Sequence, residues 1–128
     1  MPIELSLLVG SVALAFAQML LAAVGASRQL GLPALAGNRE GMPEITGWAG
    51  RAVRAHRNMI EDLVLFAALV LVAVVADRTN ATTALGAHLF FWARLVYAVV
   101  YLAGIPWLRT GVWAVSVLGL ILIFSQLL

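Results

Sequence analysis

Arg51-Ala52-Val53-Arg54-Ala55-His56-Arg57-Asn58-Met59-Ile60-Glu61-Asp62 runs without a helix breaker into Leu63-Val64-Leu65-Phe66-Ala67-Ala68-Leu69-Val70-Leu71-Val72-Ala73-Val74-Val75-Ala76. The second half of this stretch carries no charge. As a helix it rises only about 21 Å, short of a hydrocarbon core of roughly 30 Å. A helix that crosses a membrane here must carry part of the polar block in with it. Ionisable groups at that depth are expensive, and they usually line a site or a water-filled cavity. The polar half is where chemistry is expected.

The rest of the composition agrees with a membrane setting. The 128-residue chain is 63% hydrophobic and 11% charged, with a mean hydropathy of +1.01. Soluble domains average about 25% charged residues, so a water-soluble domain is excluded. All eight basic residues are arginine, a side chain that grips carboxylates bidentately and stays charged. A codon bias toward arginine would give the same composition. The net charge of +2 is too small to imply nucleic-acid binding. With no cysteine, a disulfide framework, a thiolate metal site and a cysteine nucleophile are ruled out. A reactive thiol would have to arrive with a ligand. The N-terminal apolar run lacks a basic leader and is too long for a cleaved signal, which makes it a retained helix.

Four apolar segments follow, at about residues 3–27, 48–76, 83–104 and 108–127, in one domain over 1–128. The expected fold is all-α, an integral membrane four-helix bundle. Between the first two segments, residues 31–47 are rich in Gly and Pro, which forbids a continuous helix. Asp77 to Thr83 is a short polar turn, and Gly104-Ile105-Pro106 stops the third segment. Arg28, Arg39, Arg51 and Arg109 gather at one end of the bundle, against Arg78, Asp77 and Glu4 at the other. The positive-inside rule then places the long loop in the cytoplasm and both termini outside. A bacterial inner membrane is the expected location.

Within the second segment Arg54, Asn58 and Glu61 recur at helical spacing and share a face, with Asp62 and Arg51 near the same stripe. In the third, Arg94, Tyr97 and Tyr101 form another. Counting helical rise from the short turn, Asn58, Glu61, Tyr97 and Tyr101 lie roughly 22–30 Å in, and Arg94 about 18 Å. The two stripes therefore share a depth, and Arg94 needs a counter-charge such as Glu61 or Asp62. An ion-pair network that merely locks helices is the plain alternative. It suits any one pair better than the whole set, because three or four arginines face two carboxylates, and an excess of buried cation asks for an anionic ligand. His56 and His88 begin antiparallel helices at opposite membrane faces, some 20 Å or more apart, so they cannot share one haem. His56 is assigned to the polar site and His88 to packing or the interface. Trp48, Trp107 and Trp113 fall at the cytoplasmic boundary as belt residues, whereas mid-helix Trp92 is expected to pack.

The pattern Arg51-x-x-Arg54-Ala55-His56-x-Asn58-x-x-Glu61, followed by an apolar run with Leu65-Phe66, resembles the second-helix signature of the MAPEG family. These are the membrane-associated proteins of eicosanoid and glutathione metabolism. Ala93-Arg94-Leu95-Val96-Tyr97-Ala98-Val99-Val100-Tyr101, a proline turn and Arg109 resemble the family's second signature. The chain departs from the pattern at Gly50, where many members carry Glu, at Val64 in place of proline, and in its long first loop.

The resemblance implies a homotrimer with glutathione, a co-substrate, bound between subunits near the cytosolic face. It places Arg54, Asn58 and Glu61 on glutathione, with His56 and Asp62 at neighbouring contact positions. Arg94, Tyr97 and Tyr101 come from the facing helix, and Arg28 meets a glutathione carboxylate. Arg109 matches the arginine credited with stabilising the thiolate. The implied function is conjugation of glutathione to lipophilic electrophiles drawn from membrane lipid, or reduction of hydroperoxides. A non-catalytic MAPEG-like binding or scaffold protein is the competing reading. A small multidrug transporter would want a carboxylate inside the first helix, and residues 5–27 have none.

Overall fold

Asn80 shows how local chemistry sets the helix boundaries. In the computed structural model, which describes residues 1–128, its side chain accepts from the backbone N–H of Thr82 and Thr83 at 2.9 and 3.0 Å, and Thr83 Oγ1 accepts from the Asn80 N–H at 2.8 Å. This capping box satisfies donors that a helix start otherwise leaves orphaned. The helix accordingly begins at Ala81, two residues before the expected position. Five helices result: α1 (Ile3–Leu30), α2 (Leu32–Ala36), α3 (Gly47–Val75), α4 (Ala81–Ala103) and α5 (Pro106–Ser125).

All but α2 are long and apolar enough to cross a membrane. The protein is an all-helical, multi-pass membrane protein. One element was not expected. The Gly/Pro-rich loop holds the single-turn helix α2, with Pro33 in its first turn where a missing N–H costs nothing. Gly31 at φ 83° lets the chain turn between α1 and α2. Helix α5 starts at Pro106, two residues earlier than expected, for the reason that applies to Pro33.

Packing in a bilayer gains little from the hydrophobic effect and depends on close fit. Helices α4 and α5 meet through Gly86 and Gly119, where a Cβ on either would lie 2.5–2.6 Å from the other's carbonyl oxygen. Gly25 lets α1 approach α3, because a Cβ there would come within 2.7 Å of Ala49 Cβ. The centre is filled by Met59, Phe66, Val70, Ala87, Phe90 and Ile123, with the Phe66 and Phe90 rings stacked at 4.1 Å. At the end of the bundle near the termini, buried Glu4 accepts from Thr83 Oγ1 at 2.7 Å and ties α1 to α4. At the opposite end, Gln29 exchanges two hydrogen bonds with the backbone of Thr46, at 2.6 and 3.0 Å.

Candidate functional site

The buried stripe of α3 runs through Ala55, Met59 and Phe66. At about 100° of rotation per residue, Asp62 falls beside that stripe, Asn58 at its margin, and Arg54 and Glu61 beyond it. Asn58 and Asp62 are half-buried, and Arg54 and Glu61 are exposed. The polar face drawn from the sequence is thus split between inside and outside. Glu61 does not serve as the counter-charge to Arg94; Asp62 does.

Arg94 is only 1% exposed. Its Nη1 donates to Asn58 Oδ1 at 2.8 Å and to Asp62 Oδ2 at 3.1 Å. The latter contact is the chain's only ion pair. The guanidinium also lies over the Tyr97 ring, 4.2 Å from its centroid. Tyr97 meets Tyr101 edge to face at 5.5 Å, and Arg109 covers the Tyr101 ring at 4.6 Å. Two arginines therefore flank a tyrosine pair, and cation–π attraction of about 0.5–2 kcal/mol each helps hold the stack. Asn58, Tyr97 and Arg109 line one small cavity of about 140 Å³, together with Thr110 and Trp113.

The remaining expected residues stand apart from that cavity. His56 is half-buried on α3, and Arg28 is exposed in the last turn of α1. Arg51 donates through Nε to the Leu102 carbonyl at 2.9 Å, satisfying a carbonyl in the last turn of α4. Arg54 and Arg57 border a separate cavity, walled by Met42 to Ile45. Gly50 sits under that wall, and a Cβ there would collide with the Ile45 carbonyl. The departure from the resembled pattern at Gly50 lets the loop lie flat on α3.

The family comparison matches the MAPEG family over residues 6–128. The chain belongs to the MAPEG family. No curated protein and no solved structure gives a match. Family membership places this membrane protein in the glutathione and eicosanoid metabolism family.

Two tryptophans behave differently from their expected roles. Trp113 Nε1 donates to Asp62 Oδ2 at 3.1 Å, so it joins the Arg94–Asp62 cluster and is more than a belt residue. It fixes the carboxylate that neutralises Arg94. Its spacing of +4 from Arg109 was the available signal, since that puts both on one helix face. Trp92 is 53% exposed and does not fill the core. Its Nε1 donates to His88 Nδ1 at 3.2 Å on the outer surface.

Proposed function

We propose that this MAPEG protein is a glutathione-dependent membrane enzyme that works as a homotrimer and conjugates glutathione to lipophilic electrophiles. The observation that carries the reading is the uneven distribution of charge. One carboxylate neutralises Arg94 inside the chain, while Glu61 beside it and Arg54 about two turns earlier on α3 face outward. Outward charges on a membrane helix are costly unless protein or ligand covers them. Glutathione carries two carboxylates and one ammonium, which suits arginines and one glutamate.

Size supports a shared site. Ligand pockets usually span about 300–1,000 Å³, and the cavity beside Arg109 holds about 140 Å³. That space suits the thiol end of the tripeptide, leaving its charged ends to Arg54, Glu61 and Arg28. Asn58, Asp62, Arg94, Tyr97, Tyr101 and His56 shape the inner wall. The Arg109 cation favours the thiolate over the thiol, whose reference pKa is near 8.5. The thiolate then forms a carbon–sulfur bond with the electrophile, whose leaving group departs or whose strained ring opens. Hydroperoxide reduction would use the same thiolate.

Glutathione should raise the melting temperature of the detergent-solubilised protein and support turnover of a lipophilic electrophile. Stabilisation without turnover would instead favour a non-catalytic binding role. Loss of both would remove the glutathione reading.

A further inference from the structure

Three buried polar side-chain atoms have no protein partner: Gln18 Oε1, Arg94 Nε and Arg94 Nη2. The first is an acceptor, and the other two carry three N–H donors. They come from different helices, yet the register brings them to one level. Gly25 against Ala49, and Gln29 against Thr46, fix α1 antiparallel to α3. Moving from Gly25 to Gln18 along α1 therefore reaches the level of His56 to Asn58 on α3, to within roughly one turn, or about 5 Å. Asn58 is the residue that holds Arg94 Nη1. On the other side, Glu4 against Thr83 and Gly10 against Phe91 fix α1 parallel to α4. By that count Gln18 lies just past Tyr97, whose ring carries the guanidinium.

Gln18 also points the right way. It continues the buried stripe Glu4, Leu7, Ser11, Ala15, Gln18, Ala22 that α1 turns toward α3 and α4. Gln18 is 8% exposed and Arg94 1%. A buried polar atom without a partner forfeits about 1–3 kcal/mol, and more when charged, so three at one level call for a common partner. That partner must both accept and donate, must be small enough to sit between two buried side chains, and need carry no charge. Water meets all three conditions, and buried waters commonly make two to four such bonds.

We propose a buried hydration site in each subunit, in which a water accepts from the free edge of Arg94 and donates to Gln18 Oε1. The site joins α1 to the α3–α4 polar cluster and holds the guanidinium plane across Tyr97. It is independent of glutathione and needs no second subunit.

The test is a rotating-frame Overhauser measurement between water and the Arg94 Nε–H in arginine-labelled protein, with the signal assigned by its loss in Arg94→Lys. Wild type should show a dipolar cross-peak, opposite in sign to chemical exchange. The peak should vanish in Gln18→Leu and persist in Gln18→Asn, whose shorter amide leaves the water its acceptor. A wild-type protein with no dipolar peak would overturn the proposal, as would a folded Gln18→Leu variant that keeps it. Should Gln18→Leu not fold, the wild-type and Gln18→Asn spectra decide between the same two outcomes.

Discussion

Asp62 stands between Arg94 and Trp113, and each contact can be weighed separately. Removing the carboxylate leaves a guanidinium buried without its counter-charge, a loss of about 3–5 kcal/mol by analogy with other buried pairs. Trp113→Phe removes one hydrogen bond to a charged group and should cost roughly 1.5–3 kcal/mol. Asp62→Ala should therefore melt well below Trp113→Phe in the same detergent, and equal losses would show that Arg94 finds another anion. Arg109 calls for a different test, because its partner is a ring and its proposed target a thiolate. Arg109→Ala should retain glutathione binding, raise the pH midpoint of thiolate absorbance in the complex, and recover rate at higher pH. Losing a contact made mainly with the reacting anion lowers kcat more than it raises KM. An unchanged midpoint would move the role to Arg28. Sequence spacing was enough to group Asn58, Arg94, Tyr97 and Tyr101 by depth. It could not choose between Glu61 and Asp62, because adjacent helix positions differ by about 100° and both lie near the polar margin. Only the packed position of α4 makes that choice.

Among the helices, the α4–α5 pair depends most on missing side chains. Gly119→Ala would place a Cβ 2.5 Å from the Gly86 carbonyl oxygen, so the helices must part, at a cost of about 1–3 kcal/mol typical of overpacking. Gly111 on the same helix has open space around it. Gly111→Ala should be neutral or stabilise by up to about 1 kcal/mol through helix propensity. Thermal melts of the two variants should move in opposite directions or differ by several degrees, and matching shifts would mean that α5 is not closely seated. The four spanning helices were legible because long apolar runs separated by Gly, Pro and Asn leave few alternatives. The single turn α2 was not, since five residues among breakers carry no periodic signal. Trp92 was misjudged for a related reason. An aromatic residue in a membrane helix is equally at home facing lipid, so hydrophobicity alone cannot orient it.

The whole molecule has its polar cluster at one depth, with part of it turned outward. In the proposed trimer, neighbouring subunits and bound glutathione cover Arg54 and Glu61. Native mass spectrometry from mild detergent should show three copies, and a monomer at every concentration would remove the shared site. Arg54→Ala and Glu61→Ala should each stay trimeric and lose about 2–5 kcal/mol of glutathione affinity, the usual effect of truncating one partner of a buried charged contact. In the proposed reading, arginine placement puts the long loop in the cytoplasm, and glutathione would enter from that side. The most direct measurement of the central claim is a calorimetric titration of wild-type protein with glutathione, run beside Arg54→Ala and Glu61→Ala. Saturable binding in wild type, sharply weakened in both variants while the trimer persists, is the predicted result. No binding in wild type, or equal binding in all three proteins, would contradict the account.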